Sequence, residues 1–318
     1  MITKEAHKIF GVRANTAATK NGKGEPIILE VLPDRTDGTE KFIPVENTRY
    51  VFPIEDSISL AMALDSRVRV PVLLWGYHGS GKSTLAEQVC FKLNRPCIRV
   101  QHSVDTEASD IVGQWTLEGD KTAFHYGPLA RAMRDGLVYI ADEYDFALPN
   151  VLAVYQAVLE GAPLFIKQAP EDMAMVKPHP DFRFIATGNT NGRGDETGLY
   201  QGTQIQNAAN YSRFGITVKI DYQSPEAEKQ IIGNYIGTVP DADMASLMEF
   251  VKLVRKAYDD KSITNTISTR EIITVARLAI LKGRDGPNWT YAVEHAFTNR
   301  MSTIDSAAIN SIRQRVFG

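Results

Sequence analysis

Two glycines five positions apart lead directly into a lysine and a serine in LLWGYHGSGKSTLAEQV, residues 73–89. This segment satisfies the pattern G-x-x-x-x-G-K-[ST], in which the glycines let backbone N–H groups wrap the phosphates of a nucleotide. In that arrangement Lys82 neutralises the outer phosphates and Ser83 ligates a magnesium ion. The segment therefore predicts a nucleotide site. Its predicted binding residues are Gly76, Tyr77, His78, Gly79, Ser80, Gly81, Lys82, Ser83 and Thr84.

A pair of carboxylates ends the apolar run LVYIADE, residues 137–143. Asp142 at the tip of this run is placed to hold the metal ion, together with Ser83. Glu143 is placed to orient and deprotonate an attacking water, which is the second task of phosphoryl transfer. The carboxyl ends of parallel strands meet at one edge of a sheet, so we expect both carboxylates to lie near the glycine loop.

Three further polar residues are candidates for the same chemistry. Asn189 ends the apolar run FRFIATGN and is predicted to hold the attacking water or the outer phosphate; an asparagine that satisfies a turn is the alternative. Arg213 stands just before the run GITVKIDY, where a salt-bridged surface arginine is the alternative. Arg270, in ISTREIITVA, is a candidate for a phosphate contact, and an ordinary arginine at a capped helix start is equally open.

Five short apolar runs must position these residues. Runs that are apolar on both faces are typical of a buried parallel sheet flanked by helices. After the glycine loop, an amphipathic helix is indicated because apolar residues recur on one face. The predicted strands are 70–76, 97–101, 137–143, 182–189 and 215–222, and the buried helix face is Leu85, Ala86, Val89, Cys90 and Leu93.

The pattern divides the chain into three predicted parts. Residues 1–50 form a short appendage of loops around one strand in PIILEVLP, and residues 51–223 form the α/β nucleotide-binding domain. Residues 224–318 form a small helical domain, in which Ser224 caps a helix with proline in its first turn. The pair Ser268 and Glu271 predicts a capping box for a later helix.

Composition narrows the classes of partner. The chain has 35 basic and 38 acidic side chains and a formal charge of -3, so it lacks the overall positive charge that selects duplex nucleic acid or an anionic membrane. Cys90 and Cys97 have no zinc-type spacing and are expected to be buried free thiols. The N-terminus has no apolar signal region, and no apolar run approaches the ~18 residues of a membrane span. We expect a soluble, cytoplasmic protein.

The order of these motifs resembles the AAA+ ATPases of the MoxR group. More narrowly, several segments are similar to the CobS-type ATPase subunit of aerobic cobaltochelatases, over most of residues 70–318. These segments are GYHGSGKSTLAEQV, KLNRPCIRV, DEYD, HPDFRFIATGNTNGRGDETGLYQGTQ and, near the start, IFGV. The resemblance implies an AAA+ P-loop core with a five-stranded parallel sheet, followed by an all-helical lid domain.

The resemblance also implies cofactors and partners. It implies ATP and Mg²⁺, a homo-oligomer in the form of a hexameric ring with ATP between subunits, and a CobT-like partner with a von Willebrand-type domain. In such rings the position of Arg213 faces the nucleotide of the neighbouring subunit. In the cobaltochelatase the motor drives insertion of cobalt into hydrogenobyrinic acid a,c-diamide by a large third subunit. The sequence itself has no His, Cys and carboxylate cluster typical of a cobalt site.

Other functions remain as alternatives. A MoxR-type remodelling ATPase with a client other than a chelatase fits the same motifs. A nucleic-acid motor or loader is suggested by Ser212 and Arg213, a pair similar to that of clamp loaders, but the charge balance argues against it. A guanine-nucleotide switch needs an [NT]KxD motif, which the sequence lacks. A small-molecule kinase is disfavoured because a helical tail with its own arginine is typical of oligomeric motors.

Overall fold

The computed structural model describes residues 2–192, 194, 203, 208–284 and 286–318. Its strands are β1 Ile2–Glu5, β2 Ile28–Val31, β3 Val72–Trp75, β4 Cys97–Gln101, β5 Gly113–Glu118, β6 Lys121–Tyr126, β7 Val138–Asp142, β8 Leu164–Phe165, β9 Met175–Val176, β10 Arg183–Gly188 and β11 Ile216–Lys219. Its α-helices are α1 Ala6–Phe10, α2 Ile54–Leu64, α3 Lys82–Lys92, α4 Ala108–Val112, α5 Pro128–Asp135, α6 Pro149–Leu159, α7 Ala208–Tyr211, α8 Pro225–Ile236, α9 Asp241–Asp259, α10 Thr269–Lys282, α11 Trp289–Ala296 and α12 Thr303–Phe317.

A five-stranded parallel sheet in the order β11-β3-β10-β7-β4 confirms the predicted fold class. All residues of the central strands β7 and β10 are buried, whereas β4 and β11 at the two sides alternate toward solvent. The apolar runs of β7 and β10 therefore form the middle of the core. Each of the five predicted strands is present; β4 has the predicted bounds, and the other four are shorter than predicted by one to three residues at each end.

The chain forms two compact units, which we call the sheet unit and the helical unit. The sheet unit contains the described residues up to Asn47 with Phe52–Gly76 and Gly81–Ile220, and the helical unit contains Thr48–Val51, Tyr77–Ser80 and Asp221–Gly318. The three-part division predicted from the sequence stays a prediction. Among the described residues, no helix is both long enough and apolar enough to cross a membrane.

Helix α3 packs against the sheet through the face predicted from its sequence. Leu85, Ala86, Val89 and Cys90 are fully buried, and Leu93 just beyond the helix is 1% exposed. Both cysteines are free thiols, as predicted. Cys90 is buried, but Cys97 is only half-buried, because it lies on the side strand β4.

Two helices of the helical unit, α8 and α10, start with the caps predicted from the sequence. The Ser224 side chain accepts a hydrogen bond from Ala227 N, with Pro225 in the first turn of α8. In α10, Ser268 N donates to Glu271 Oε2 at 2.6 Å, and Glu271 N donates back to Ser268 Oγ at 3.4 Å. These reciprocal bonds satisfy donors that the first helical turn leaves without partners.

Candidate nucleotide and catalytic site

The loop that leaves β3 starts with a glycine that the local geometry requires. Gly76 has a φ of +144°, and a Cβ at this position would lie 2.2 Å from the carbonyl oxygen of Ile220. Gly81 is the N-cap of α3 with a φ of +94°, and Leu85 N donates to its carbonyl oxygen at 2.7 Å. Space and backbone conformation select glycine at 76, and backbone conformation alone selects it at 81.

The Lys82 side chain connects the glycine loop to the end of β10. The residue is 7% exposed, and its Nζ donates to the carbonyl oxygen of Gly76 at 2.8 Å and to Asn189 Oδ1 at 3.0 Å. A buried ammonium group of this kind is a fixed positive charge at the carboxyl edge of the sheet. Such a charge can bind the outer phosphates of a nucleotide.

Asp142 collects hydrogen bonds from three elements at the same edge. Ser83 Oγ donates to Asp142 Oδ1 at 2.5 Å, Thr187 Oγ1 donates to the same oxygen, and Arg99 Nε donates to Oδ2 at 2.8 Å. Burial raises the pKa of Asp142, but the hydrogen bonds from Ser83, Thr187 and Arg99 outweigh it and hold the pKa below its ordinary value. The carboxylate is therefore ionised beside a serine hydroxyl, and such hard oxygen atoms suit Mg²⁺.

Glu143 has the properties of a base that can take a proton from water. Its φ of +54° places a non-glycine residue in the left-handed region, a conformation that often marks functional positions. Asn189 Nδ2 donates to Glu143 Oε2 at 2.9 Å, so the amide holds the carboxylate in place. Burial, together with the negative charges of Asp145 and Asp142, raises the pKa of Glu143. A raised pKa makes the carboxylate a better proton acceptor.

Sequence reasoning missed Asp145, which orders the end of β10. Its Oδ2 accepts hydrogen bonds from Asn189 N and Thr190 N, each at 2.9 Å. Asp145 is fully buried, and burial raises its pKa. The second acid of DEYD is the signal that could have identified it. Asp145 sets the backbone from which Asn189 reaches both Lys82 and Glu143.

Arg99 and Thr187 were also missed, although both hold Asp142. Each is a polar residue inside a run that otherwise reads as a buried strand, CIRVQ for Arg99 and FIATG for Thr187. A charged or hydroxyl side chain in such a run needs a partner nearby, and this is the signal that was available.

His102, also missed, lies beneath Asp142 in a buried chain of hydrogen bonds. Its Nδ1 lies 2.9 Å from the backbone carbonyl oxygen of Asp142, and its Nε2 lies 2.6 Å from Tyr155 Oη. Burial lowers the pKa of His102, so the ring is neutral at pH 7. Because a carbonyl oxygen only accepts, Nδ1 carries the proton and Nε2 accepts from Tyr155. Tyr155 Oη then accepts from Tyr139 Oη at 2.9 Å, which completes the network.

Arg213 belongs to the sheet unit but lies at the opposite edge of the sheet. β11 runs parallel to β3 with Ile216 beside Val72, so a residue before β11 lies at the amino edge, whereas Lys82 follows the carboxyl end of β3. Arg213 Nε donates to Glu160 Oε1 at 2.6 Å, and Nη1 donates to the carbonyl oxygen of Ala209 at 2.6 Å. The structure therefore does not bring Arg213 together with the other predicted site residues of the sheet unit.

Four loop residues, Tyr77–Ser80, belong to the helical unit. The Tyr77 ring stacks on Tyr222 with centroids 5.3 Å apart, and His78 O accepts a hydrogen bond from the Tyr222 hydroxyl at 3.3 Å. A Cβ at Gly79 would lie 2.6 Å from Ser268 Cβ, so only glycine allows this approach to the start of α10. Ser80 Oγ is buried and has no hydrogen-bond partner among the described residues.

The remaining two predicted residues are in helices. Arg270 is the second residue of α10 and is exposed, two positions after the serine that contacts Gly79. Within the helical unit, this places Arg270 near the glycine-loop segment. Thr84 is in the first turn of α3 and is half-buried.

Comparison with known proteins supplies the family. Residues 71–207 match the AAA domain of the dynein-related subfamily. The chain is 30% identical to the aerobic cobaltochelatase subunit CobS of a Sinorhizobium species, over 99% of this chain and 91% of that protein. This chain belongs to the MoxR-type group of AAA ATPases. The predicted family is thus confirmed, and the AAA core binds nucleotide.

Other relatives of this MoxR-type chain cover less of it. Protein CbbQ of Hydrogenophilus thermoluteolus is 28% identical over 68% of this chain and 76% of CbbQ. Among solved structures, a RuvB mutant from Thermotoga maritima has a TM-score of 0.47 and 18% identity, covering 75% of this chain and 66% of that one. The CobS-like segment GDETGLYQGTQ lies outside the described residues, except for Gly194 and Thr203.

Proposed function

We propose that this AAA chain hydrolyses ATP as one subunit of a ring motor of the CobS type. The supporting observation is a pair of adjoining contact sets at the carboxyl edge of the sheet: Lys82 contacts Asn189, which contacts Glu143, and Ser83 contacts Asp142. This group contains a cation for the phosphates, a hydroxyl and carboxylate pair for a metal ion, and a carboxylate for the water. Those are the parts that ATP hydrolysis needs.

Each residue then has a defined task. Lys82 binds the outer phosphates, and Glu143 orients the water and accepts its proton. Asn189 holds Glu143 in the orientation that this proton transfer needs. Ser83 and Asp142 would hold Mg²⁺, since their oxygen atoms are the hard ligands that this ion prefers. When bound, the ion would neutralise charge on the phosphate oxygens. Arg270 is the candidate for a further phosphate contact.

The proposed assembly is a hexameric ring with ATP between subunits. It is supported by the position of Arg213 at the amino edge of the sheet, away from the phosphate-binding residues of its own chain. Arg213 would contact the nucleotide of the next subunit. The ring would work with a CobT-like subunit in metal insertion, a proposal that rests on the likeness to CobS over 99% of the chain.

A remodelling ATPase with another client is the second candidate function. It is favoured by the likeness to CbbQ and to NorQ of Paracoccus denitrificans, which cover 68% and 71% of this chain. The two candidates share the ATPase chemistry and differ only in the partner. Reconstitution of cobalt insertion with a CobT-like subunit, a large chelatase subunit and hydrogenobyrinic acid a,c-diamide distinguishes them. Insertion that depends on this chain favours the chelatase, and its absence in an assembled complex favours another client.

The ATPase assignment is tested by removing the Lys82 ammonium group. We expect Lys82→Ala to bind ATP about 10- to 100-fold more weakly, because a charge-assisted hydrogen bond contributes roughly 1.5–3 kcal/mol. Hydrolysis should be lost as well. Lys92→Ala is the matched control, since Lys92 ends the same helix and pairs with Glu46. Equal ATP affinity of Lys82→Ala and Lys92→Ala in a calorimetric titration would contradict the assignment.

A further inference from the structure

A cavity in the sheet unit lies at the amino edge, among the residues that precede or begin β3, β10 and β11. Its volume is about 280 Å³, and the charged residues that line it are Arg69, Arg183, Arg213 and Glu160. Within the described part of the chain, three guanidinium groups thus face one carboxylate. The other lining residues are apolar side chains, proline and glycine. The cavity therefore carries excess positive charge on otherwise uncharged walls.

Arg183 is the buried member of this group, at 2% exposure. Its Nε donates to the carbonyl oxygen of Leu64 at 2.7 Å, and Nη1 donates to the carbonyl oxygens of Pro180 and Phe182 at 2.8 and 2.7 Å. Nη2 is buried and has no hydrogen-bond partner among the described residues. All these acceptors are neutral, so no carboxylate of the described residues bonds directly to the buried Arg183 guanidinium.

The surroundings of Arg183 make its protonated, charged form less favourable. Burial, followed by repulsion from the guanidinium groups of Arg95 and Arg69, lowers its pKa to about 10. The carboxylates of Glu30 and Asp181 offset this only in part. The side chain stays protonated at neutral pH, and a nearby anion would relieve the unfavourable burial.

Arg69 and Arg213 are the two accessible arginines of the cavity. Arg69 is exposed and has a φ of +46°, and its Nη2 donates to the carbonyl oxygen of His179 at 3.2 Å. The Arg213 side chain is 24% exposed and pairs through Nε with Glu160, whose side chain is 56% exposed. A pair this exposed to water is weak and can be displaced by a stronger anion.

We propose that this cavity binds a phosphate-type oxyanion, with Arg69 and Arg213 as its ligands and with Glu160 as the carboxylate that competes for Arg213. The planar guanidinium fork matches two oxygens of a phosphate group, which makes arginine a better ligand than lysine here. The volume of about 280 Å³ lies just below the ~300–1,000 Å³ that is typical of pockets for larger ligands, and it admits a phosphate group.

Two alternative sources can supply the phosphate group. One is a free anion, and the other is the terminal phosphate of ATP bound to a second copy of the chain. The second source rests on the proposed ring function, in which Arg213 contacts the nucleotide of the next subunit. Arg69 would then be a second arginine in contact with the same nucleotide. The first source is independent of that function. The test therefore has one arm for binding and one for hydrolysis.

The binding arm uses the full chain with Lys82→Ala, which disables the glycine loop as a competing phosphate site. Inorganic phosphate is titrated into this protein and followed by calorimetry. We expect Arg69→Gln and Arg213→Gln each to weaken phosphate binding about tenfold or more, and Glu160→Gln to tighten it, because the competing charge is gone. Arg277→Gln, at an exposed position of α10, is the matched control and should change nothing.

The hydrolysis arm measures ATP turnover by Arg69→Gln alone and after mixing with Lys82→Ala chains. Loss of turnover that mixing partly restores identifies the nucleotide of a second copy as the source. Normal turnover, combined with weakened phosphate binding, identifies a free anion. Phosphate binding that is absent, or equally tight in Arg69→Gln, Arg213→Gln and Arg277→Gln, overturns the proposal. Failure of the ring function alone would appear as no turnover by the unmodified chain, with the binding arm unaffected.

Discussion

The two edges of the five-stranded sheet compensate their charges in different ways. At the carboxyl edge, Asp142 is paired with Arg99, and Lys82 is bonded to Asn189, which in turn is bonded to Glu143. At the amino edge, the described charged residues that line the cavity are three arginines and one exposed carboxylate, Glu160, which pairs with Arg213. Lys82, Asp142 and Glu143 at the first edge each have hydrogen-bond partners within the chain, whereas arginines outnumber carboxylates among the described residues that line the cavity at the second.

The two edges therefore differ in what each still needs before it can take part in catalysis. A network that is already bonded needs little rearrangement when a substrate binds, and fixed dipoles of this kind are an efficient source of transition-state stabilisation. Arginines that outnumber the carboxylates around them can instead bind an anion from outside the chain. We infer that the carboxyl edge organises the ATP of its own subunit and that, in the proposed ring, Arg213 at the amino edge contacts the ATP of another. The predictions below test each half of this inference.

The largest effect is expected at the amino edge. Arg213→Ala should bind ATP nearly normally and lose about 10³- to 10⁵-fold in hydrolysis rate, because an arginine supplied to a neighbouring site stabilises charge that develops only in the transition state. Steady-state turnover and nucleotide titration of the same protein measure the two quantities. Turnover of Arg213→Ala at the rate of the unmodified chain would remove the distinction between the edges.

Mixing separates action on a neighbour from action within one subunit. Arg213→Ala and Lys82→Ala chains are each expected to be inactive. In mixed rings some interfaces join an intact glycine loop to an intact arginine, so ATPase activity should partly return. Failure to recover in rings shown to be mixed would mean that Arg213 acts within its own subunit or that every site of the ring must be intact.

A smaller but still large effect is expected at the carboxyl edge. Glu143→Gln should keep ATP affinity and lose about 10²- to 10⁴-fold in turnover, since the amide keeps the shape of the side chain but accepts no proton. Glu249→Gln, at a half-exposed position on α9, is the control for the substitution itself. If Glu143→Gln hydrolysed ATP as fast as Glu249→Gln, the base would be another group.

The sequence predicted the parallel sheet well because its strands are continuous apolar runs that end in polar residues. The hairpin of β5 and β6 was missed, since it is largely exposed and its residues mix polar and apolar types. Its two-residue connection, Gly119 and Asp120, with a φ of +63° at the glycine, was the available signal. Strand β1 also lacked an apolar signal, because it is mostly exposed.

In the candidate site, too, some residues could be predicted from the sequence and others could not. Residues at the tips of strands, such as Asp142 and Asn189, could be predicted because all parallel strands expose their carboxyl ends at one edge. Their partners Arg99 and Thr187 could not be assigned, because these contacts depend on β7 lying between β4 and β10. The lateral order of strands is a property of the packed sheet and leaves no mark in the spacing of motifs. The roles of the predicted residues stay predictions.

The smallest effect tests whether the charges of the carboxyl edge act on one another. Burial and the neighbouring charge of Asp145 raise the pKa of Glu143, so turnover should fall as the pH drops through a range above that of an ordinary glutamate.

In Asp145→Asn the repulsion is gone, while the amide oxygen can still accept from Asn189 N and Thr190 N. The pKa of Glu143 should then fall, and the acid side of the pH–kcat profile should move to lower pH. On the alkaline side of both profiles, where Glu143 is ionised in either protein, turnover should agree within about threefold. Asp259→Asn, at the exposed end of α9, should leave the profile in place. A profile that Asp145→Asn leaves unchanged, or moves to higher pH, would mean that the ionisation of Glu143 is not set by its neighbours at this edge.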